Sequence, residues 1–442
     1  MDDRVYDAIE LDNGDFIVTG KSTNGSFEKL WLYKLDSSGV LVDSLIISGQ
    51  NGLGRISRLT QVAEDTIVGI GDKPDEISGL CELFYIRINT SFSYYEEKTY
   101  PVGNYVDCRF RTKADGDSKL VVFGYLIDRV NPYDIDMAYF SLDVSGNMLK
   151  QKIYDDENMR IIFDLLVKGG EEYYAFVTEQ HMAMYKLDEN FIVLDTVEYT
   201  DYLFNMSALW YDDTSIVTTS TRLEDKTPRD LHLSLYDTLG NQLEDYVYGK
   251  PNIKEYCYSY KSIDYFDKNN IYITATSNFT VGSLYQEYDN EVLVVNLDST
   301  LTPRWEKYIG GDAYYNVFNL TALQDGGVVL ACRRHDYREH VGEMDVCLFR
   351  LDAEGNLMAS TELHPHSSGF EIYPNPVHDR LYINGLRTYR DAEVKVYNAS
   401  GQLMLQEKLH EDYLDVASLP KGFYLLKIHS EDEIFVQKFV RK

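Results

Sequence analysis

The chain has 442 residues, and 44% of them are hydrophobic, so it can build the cores of two or three domains. Its formal net charge is −30, and so acidic a surface repels nucleic acid phosphates and anionic membranes, which excludes both as expected partners. No apolar run reaches the length needed to span a bilayer. Residues 365–442 contain 11 acidic and 10 basic residues, so almost all of the charge precedes them. We expect this acidity to solvate an extracellular surface, with binding of divalent cations as the alternative.

Five cysteines are too few, and too widely spaced, for a disulfide scaffold or a zinc site, because no two have Cys-x-x-Cys spacing. They are Cys81, Cys108, Cys257, Cys332 and Cys347. Cys332 and Cys347 are expected to face each other on neighbouring strands, where an oxidising compartment would permit one disulfide. Isolated buried cysteines are the favoured alternative.

A unit of about fifty residues recurs along the first 360 residues. Its clearest marker is YKLDSSG at 33–39, which returns as FSLDVSG at 140–146, YKLDENF at 185–191 and FRLDAEG at 349–355. With three weaker copies, the Asp or Asn of the marker falls at Asp36, Asn89, Asp143, Asp188, Asp237, Asp298 and Asp352. This spacing predicts seven units.

Each unit holds four β-patterned runs separated by turn residues, which in the first unit are 6–11, 16–19, 30–35 and 40–47. Four short strands in each of seven units predict an all-β fold, a seven-bladed β-propeller over residues 1–359. Six or eight blades and a pair of separate β-sandwiches are the alternatives. The units lack the Trp-Asp step of WD repeats and the paired glycines of kelch repeats. They resemble the loosely conserved propeller repeats often found in bacterial secreted proteins.

Strand parity predicts which loops share a face of the propeller, because successive strands of a blade run in opposite directions. The loops after the first and third strands are short Asp-, Asn- and Gly-rich turns on one face. The longer loops leave the opposite face, which we call the long-loop face. They span 71–82, 126–136, 222–230, 277–291 and 333–345. Long loops on a rigid scaffold commonly carry function, so this face is the predicted binding surface.

Tyrosines and carboxylates stand side by side in these loops, and such a set suits a sugar, since aromatic rings stack on its C–H surface and acids bond its hydroxyls. The candidate ligand residues are Tyr133, Asp134, Asp136, Tyr285, Glu287, Tyr288, Asp289, Tyr337, Glu343 and Asp345, with Asp225, Asp336 and Glu339 nearby in sequence. The same oxygens would suit Ca²⁺, and no other cofactor is expected. Solvated loops without a ligand are the alternative.

No catalytic motif stands out, because the chain lacks a Gly-x-Ser-x-Gly elbow, a His-Glu-x-x-His pair and a phosphate-binding loop. His335 and His340 are five residues apart on a loop, which is not the helical pair of a metalloprotease. A polysaccharide hydrolase or lyase would need two placed carboxylates, and spacing alone does not select them.

The C-terminal segment predicts a small β-sandwich over residues 370–442, after a polar linker at 360–369. Val394 and Val396 alternate with polar residues, the turn 398–401 follows, and the alternation resumes after it. Pro374 and Pro376 each lack a backbone donor, so the chain enters extended and outside a central strand.

This segment resembles the type A C-terminal sorting domain of proteins exported by the type IX secretion system of Gram-negative bacteria. The matching positions are Tyr373, Pro374, Asn375, Pro376, Val396, Tyr397, Asn398, Gly401, Gln402, Leu414, Asp415, Val416, Leu419, Gly422, Tyr424 and the basic end from Lys438 to Lys442. The resemblance implies export across both membranes, through the type IX machinery at the outer one. It also implies cleavage near 359–369, followed by release or attachment to surface lipopolysaccharide. No apolar signal-peptide core follows Met1, so we expect the sequence to begin downstream of one.

These patterns together predict a secreted or surface-attached propeller that binds a glycan or a protein and works as a monomer. A polysaccharide hydrolase or lyase on the same scaffold is the first alternative, and a surface spacer without a ligand is the second.

Overall fold

The structure is a computed structural model, and it describes residues 2–24, 27–50, 52–75, 77–155, 161–178, 182–199, 203–222, 230–257, 261–279, 285–338, 343–363, 371–384, 392–398, 401–409, 413–430 and 433–442. All the regular secondary structure among these residues consists of β-strands, as the sequence predicts. No helix in the described part of the chain is long and apolar enough to cross a membrane.

The first sheet shows the repeating unit. Its four strands, β1 (Asp2–Glu10), β2 (Phe16–Asn24), β3 (Phe27–Leu35) and β4 (Leu41–Gln50), pair in chain order as an antiparallel meander. The predicted runs at 6–11, 16–19, 30–35 and 40–47 fall on these four strands, which the structure extends. Gly20 lets β2 and β3 pack closely, because a Cβ there would lie 2.0 Å from Cζ2 of the buried Trp31.

Six more antiparallel sheets follow in the described residues, each a meander in chain order. The second and third contain β5 (Arg55–Ala63), β6 (Thr66–Pro74), β7 (Cys81–Ile88) and β8 (Tyr95–Pro101), then β9 (Tyr105–Asp115), β10 (Lys119–Asp128), β11 (Ile135–Asp143) and β12 (Met148–Tyr154). The fourth and fifth contain β13 (Ile161–Lys168), β14 (Glu172–Thr178), β15 (Met182–Asp188) and β16 (Val193–Glu198), then β17 (Leu203–Trp210), β18 (Ser215–Arg222), β19 (Leu231–Asp237) and β20 (Gln242–Tyr248).

The sixth sheet has a divided first strand, β21 (Glu255–Tyr256) and β22 (Ile263–Tyr265), and both pieces pair with β23 (Ile271–Ser277). It continues with β24 (Glu291–Leu297) and β25 (Pro303–Gly310). The seventh contains β26 (Tyr314–Ala322), β27 (Val328–His335), β28 (Asp345–Leu351) and β29 (Leu357–Leu363). Strand β29 occupies the first four residues of the linker expected at 360–369, and residues 364–370 lie outside the described residues.

The sheets are arranged around an axis, which makes the N-terminal region a β-propeller scaffold. The first strand of each sheet packs against the first strand of the next, and β26 packs against β1. A buried apolar cluster fills each junction between consecutive sheets. One more cluster joins the seventh sheet to the first, where Phe318 packs with Val5 and Trp31. The amide of Asp3 also donates to the carbonyl of Met344 at 2.9 Å.

The cysteines differ in part from the prediction. Cys332 and Cys347 do face each other as register partners of β27 and β28, yet neither forms a disulfide and both are buried in the core. The disulfide joins Cys81 and Cys108 instead, and it links the second sheet to the third. The register of a single hairpin predicts the first pair, whereas the second pair depends on how two sheets pack.

The C-terminal domain is a two-sheet sandwich with its own buried core. One sheet has the order β30 (Glu371–Tyr373), β31 (Arg380–Asn384), β34 (Tyr413–Asp415). The other has the order β33 (Leu403–Lys408), β32 (Glu393–Asn398), β35 (Gly422–Ser430), β36 (Glu433–Arg441). The domain touches the first propeller sheet, because Ser48 and Asn375 exchange two backbone hydrogen bonds of 2.7 and 3.0 Å.

Candidate functional site

Irregular pairing shapes the inner strands at the same level in several sheets. The register shifts between Val5 and Asp7 in β1, between Ile56 and Arg58 in β5, and between Ile162 and Asp164 in β13. Such a bulge re-aims the residue that follows it and increases the local twist. A polar residue follows the bulge in each case, and it lies at the axis of the ring.

Asp7 connects three sheets from this position. Its Oδ2 accepts the backbone N–H of Leu59 in the second sheet at 2.7 Å. Its Oδ1 accepts a hydrogen bond from the amide of Asn319 in the seventh sheet and lies 3.5 Å from Nη1 of Arg58. Burial raises the pKa of Asp7, and the charge of Arg58 opposes that rise. These contacts give Asp7 a structural role at the ring closure.

Asp164 repeats the arrangement on the far side of the ring. Its Oδ2 accepts the N–H of Ala208 in the fifth sheet at 2.9 Å, and its Oδ1 accepts the N–H of Leu165 at 2.9 Å. Lys113 of the third sheet lies 3.2 Å from the same Oδ1. A side chain from one inner strand thus takes up a backbone donor of the next.

A cavity of about 180 Å³ lies between these inner strands. It is lined by residues of six sheets: Asp7, Ile9, Arg58, Leu59, Thr60, Arg111, Thr112, Lys113, Ala114, Phe123, Asp164, Ala208, Leu209, Lys261 and Ile263. Four of these side chains are cationic and two are carboxylates. The centre of a chain with net charge −30 is therefore locally positive.

The long-loop face has its predicted residues in two groups. The larger group lies around Arg338 in the sixth and seventh sheets, where Arg338 pairs with Asp289 at 3.0 Å and with Asp336 at 3.3 Å. Arg334 pairs with Asp336 at 2.9 Å. The side chain of Tyr337 lies 5.0 Å below the Arg338 guanidinium. The carboxylates of this group serve an ion-pair network.

Aromatic residues of the same group also pack within the protein. Tyr285 meets the His335 ring edge-to-face at 5.3 Å, and Tyr288 meets Tyr314 at 5.3 Å. The hydroxyl of Tyr288 donates to the carbonyl of Asn278 at 2.6 Å. His335 Nδ1 lies 2.7 Å from the carbonyl of Glu343. Glu287 and Glu343 are exposed, and Asp345 begins β28.

The smaller group lies in the third sheet, away from the first. Asp136 is buried in β11, and its Oδ2 accepts a hydrogen bond of 2.7 Å from the Tyr105 hydroxyl. Asp134 is half-buried at the end of the loop. Tyr133 is 83% exposed, and its neighbour Val130 is 84% exposed. Ile77, in the corresponding loop of the second sheet, is 97% exposed.

Two further predicted ligand residues, Asp225 and Glu339, lie outside the described residues, as does His340. In the described ranges, no three His, Cys, Asp or Glu side chains group closely enough to hold a metal ion. The binding of Ca²⁺ therefore stays a prediction.

The sorting-motif residues build turns and core of the C-terminal domain. Val396, Leu414, Val416, Leu419 and Tyr424 belong to its buried cluster. Asn398 Oδ1 accepts the N–H of Gln402 at 2.9 Å across the turn that contains Gly401 at φ 78°. Tyr373 and Tyr382 stack at 5.5 Å, and Pro374 and Pro376 flank the buried Asn375. Asp415 Oδ1 accepts the N–H of Ala417 at 3.0 Å just after β34, and Gly422 begins β35.

The central cavity is the feature that the sequence did not predict. Its residues lie on strands about fifty positions apart, and they read as ordinary inner-strand positions within each unit. The one available signal is a charged residue between apolar neighbours in a first strand, as at Asp164 between Phe163 and Leu165.

Comparison with known proteins supports the C-terminal assignment. Residues 371–442 match the family described as "Secretion system C-terminal sorting domain". The predicted sorting domain is confirmed, and it implies that the protein is secreted to the cell surface through the type IX system. No curated protein matches the chain.

Several solved structures are similar to the chain at low sequence identity. A mutant of Synechocystis apocarotenoid oxygenase is 11% identical, covers 82% of this chain and 93% of its own, and has a TM-score of 0.45. The β-propeller domain of the Trilobed protease from Pyrococcus furiosus is 10% identical over 86% and 94%, with a TM-score of 0.40. A puromycin hydrolase mutant is 9% identical over 93% and 58%, with a TM-score of 0.46. Likenesses of this size carry no argument about activity.

Proposed function

We propose that the protein is an exported seven-bladed β-propeller that binds another protein through its long-loop face. The seven consecutive sheets, with β26 packed against β1, support the blade count. The sorting domain supplies the route to the cell surface. A binding module is the function that suits a rigid ring exported to that location.

One observation carries the choice of a protein ligand. Ile77, Val130 and Tyr133 are large apolar side chains, 83% to 97% exposed, on corresponding loops of two neighbouring sheets. Exposed aromatic and aliphatic side chains are typical of the anchors of protein interfaces. The surrounding surface belongs to a chain of net charge −30, so the partner would present a basic surface. A glycan stacked on Tyr133 is the alternative.

The carboxylates of the cavity favour binding over hydrolysis. Asp7 and Asp164 both accept backbone N–H groups, so their oxygens already serve the scaffold. A glycosidase would instead keep two carboxylates available on either side of a bond.

The test compares the long-loop face with the opposite one. Full-length protein, a Tyr133→Ala/Ile77→Ser variant and a Phe266→Ser variant are immobilised and exposed to solubilised cell envelope and to a glycan array. Phe266 is exposed on a loop after a first strand, and so it reports on the opposite face. We expect salt-sensitive capture of one specific protein that the first variant loses and the control keeps.

Three other outcomes would contradict this proposal. A glycan bound by the native chain and lost in the Tyr133 variant would indicate the glycan alternative. Equal capture by both variants would reject the long-loop face, and no specific ligand at all would indicate a surface spacer.

Export has a separate test. Deletion of residues 371–442 is expected to leave the propeller in the periplasm, because the sorting domain is the part that the export machinery recognises. Immunoblots of periplasm, surface and medium would show it, and surface display of the deleted chain would contradict the assignment.

A further inference from the structure

The central cavity offers a second site, separate from the long-loop face. Its walls come from strands β1, β5, β9, β10, β13 and β17 and the segment at β22, so it lies on the axis of the ring. A rigid cavity with converging polar groups on such a scaffold is a common form of small-ligand site.

The charge of the lining selects the kind of ligand. The cations are Arg58, Arg111, Lys113 and Lys261, and the carboxylates are Asp7 and Asp164. Just outside the lining, Asp264 pairs with Lys261 at 2.7 Å. Even with Asp264 included, the cations outnumber the carboxylates. The protein around them is strongly acidic, so this surplus is a local feature of the cavity.

Both carboxylates of the cavity accept hydrogen bonds from the scaffold as well as pairing with a cation. Asp7 takes N–H groups from Leu59 and Asn319, and Asp164 takes those of Leu165 and Ala208. Each such bond occupies a carboxylate lone pair with an N–H group of the propeller. Within the protein, Arg58 contacts Asp7, Lys113 contacts Asp164 and Arg111 donates to the carbonyl of Phe163. Lysine and arginine have three and five N–H donors, so each can contact an anion in addition to a partner in the protein.

Two of the cations reach solvent. The side chain of Lys113 is 33% exposed and that of Lys261 is 28% exposed, although both line the cavity. An anion can therefore approach their ammonium groups without opening the ring. Ile9, Leu209, Ile263 and Phe123 supply apolar wall between the charges.

We propose that the central cavity binds a small oxyanion, a carboxylate, sulfate or phosphate group that is free or carried on one sugar residue, held between Lys113, Lys261 and the arginines Arg58 and Arg111. The volume of about 180 Å³ is large enough for a single sugar acid. Charge-assisted hydrogen bonds from lysine and arginine provide the affinity.

The first experiment uses the native full-length chain. Isothermal titration calorimetry is performed with D-glucuronate, inorganic sulfate and inorganic phosphate, and with D-glucose as the neutral control. We expect saturable binding of at least one anion and none of glucose. Binding of glucuronate alone would identify a sugar acid, and equal binding of the inorganic ions would identify a free anion. Absence of saturable binding for all three anions would overturn the proposal.

Variants then locate the binding. Lys113→Gln and Lys261→Gln each remove one positive charge and should weaken anion binding about tenfold. Lys150→Gln, on the outer strand β12 of the third sheet, is the matched control and should bind as the native chain does. Equal affinity in all three variants would place the anion elsewhere and reject the site. Should a lysine variant fail to fold, Thr60→Phe fills the cavity without removing a charge and should abolish binding.

Discussion

At the scale of single residues, Asp7 joins the beginning of the ring to its end. Its carboxylate meets Leu59 of the second sheet and Asn319 of the seventh, which are far from it in sequence. A buried carboxylate is costly unless it is paired and hydrogen-bonded, so these partners explain how Asp7 is tolerated at a buried position of β1.

We expect Asp7→Ala to destabilise the protein by about 3 kcal/mol, because it leaves a buried amide, a backbone N–H and Arg58 without their acceptor. Chemical denaturation monitored by fluorescence measures the loss. Asp117→Ala, at an exposed turn, is the control and should change stability by less than about 0.5 kcal/mol. Similar values for both variants would show that Asp7 does not hold the ring closed.

Glu255 is a second buried acid, and it titrates near neutrality. Its Oε1 accepts the Tyr308 hydroxyl at 2.9 Å and the N–H of Lys250 at 3.2 Å. Burial raises the pKa of Glu255 to about 7 from 4.5. The folded state therefore holds the proton more tightly than the unfolded state does, so this contribution to stability is complete below pH 4.5 and is lost as pH rises to about 7.

Glu255→Gln should remove that dependence, because glutamine keeps the acceptor and never ionises. We expect the Tm of the native chain to fall relative to that of the variant as the pH rises from 4.5 to about 7. Above that pH the difference between the two Tm values should be constant. Glu244→Gln, at an exposed position of β20, is the control. A pH trend identical in the native chain and in Glu255→Gln would assign the effect to another group.

At the scale of elements, the repeated turn between the third and fourth strands depends on one side chain. In the fifth sheet, Asp237 Oδ1 accepts the N–H groups of Leu239 and Asn241 at 2.9 and 2.8 Å, and Gly240 takes φ 83°. Asn89 plays a similar part in the second sheet, where its Oδ1 accepts the N–H groups of Ser93 and Tyr94, four and five residues on. An acceptor at this position closes the turn, whether it is Asp or Asn.

Substitutions at Asp237 separate its acceptor role from its charge. Asp237→Ala should cost about 1 kcal/mol at neutral pH, whereas Asp237→Asn should cost little. Hydrogen bonds from Asn241 hold the pKa of Asp237 below its usual 3.8. The ionised carboxylate therefore stabilises the folded state above that pH, and this stabilisation is lost as the pH falls. Any advantage of the native chain over Asp237→Asn should therefore shrink in acid. Thermal unfolding from pH 2 to 7 measures it, and an advantage that persists in acid would contradict the account.

Much of the element scale could be predicted from the sequence because its causes are local. The alternation of strands and the turn at Asp36 need only neighbouring residues, and the hairpin register placed Cys332 opposite Cys347. The Cys81–Cys108 disulfide was missed because it depends on how two sheets pack. The ion pairs of Arg338 with Asp289 were missed for the same reason. The central cavity needs six sheets at once, which no single repeat reveals.

At the scale of the whole molecule, the sorting domain and the propeller meet through Asn375. Besides its backbone pair with Ser48, its Nδ2 donates to the carbonyls of Ile46 and Lys438 at 2.8 and 3.2 Å. Its Oδ1 accepts the N–H of Val440 at 2.8 Å. The ion pairs of Lys438 with Asp43 and of Lys442 with Glu97 lie nearer to solvent, where such pairs contribute little. One motif residue thus links both sheets of the sorting domain to the first propeller sheet.

Asn375→Ala should loosen both units at this contact. The variant leaves the carbonyl of Ile46 and the N–H of Val440 without partners, which costs about 2 kcal/mol when such groups stay buried. We expect faster hydrogen exchange at the amides of Val440 and Ser48, measured by mass spectrometry. The amide of Ser48 is included because it donates to the backbone carbonyl of residue 375, which the Asn375 side chain holds in place. His378→Ala, exposed two residues after Pro376, should change neither. Faster exchange at Val440 with an unchanged rate at Ser48 would confine the role of Asn375 to the sorting domain and leave the propeller contact to its ion pairs.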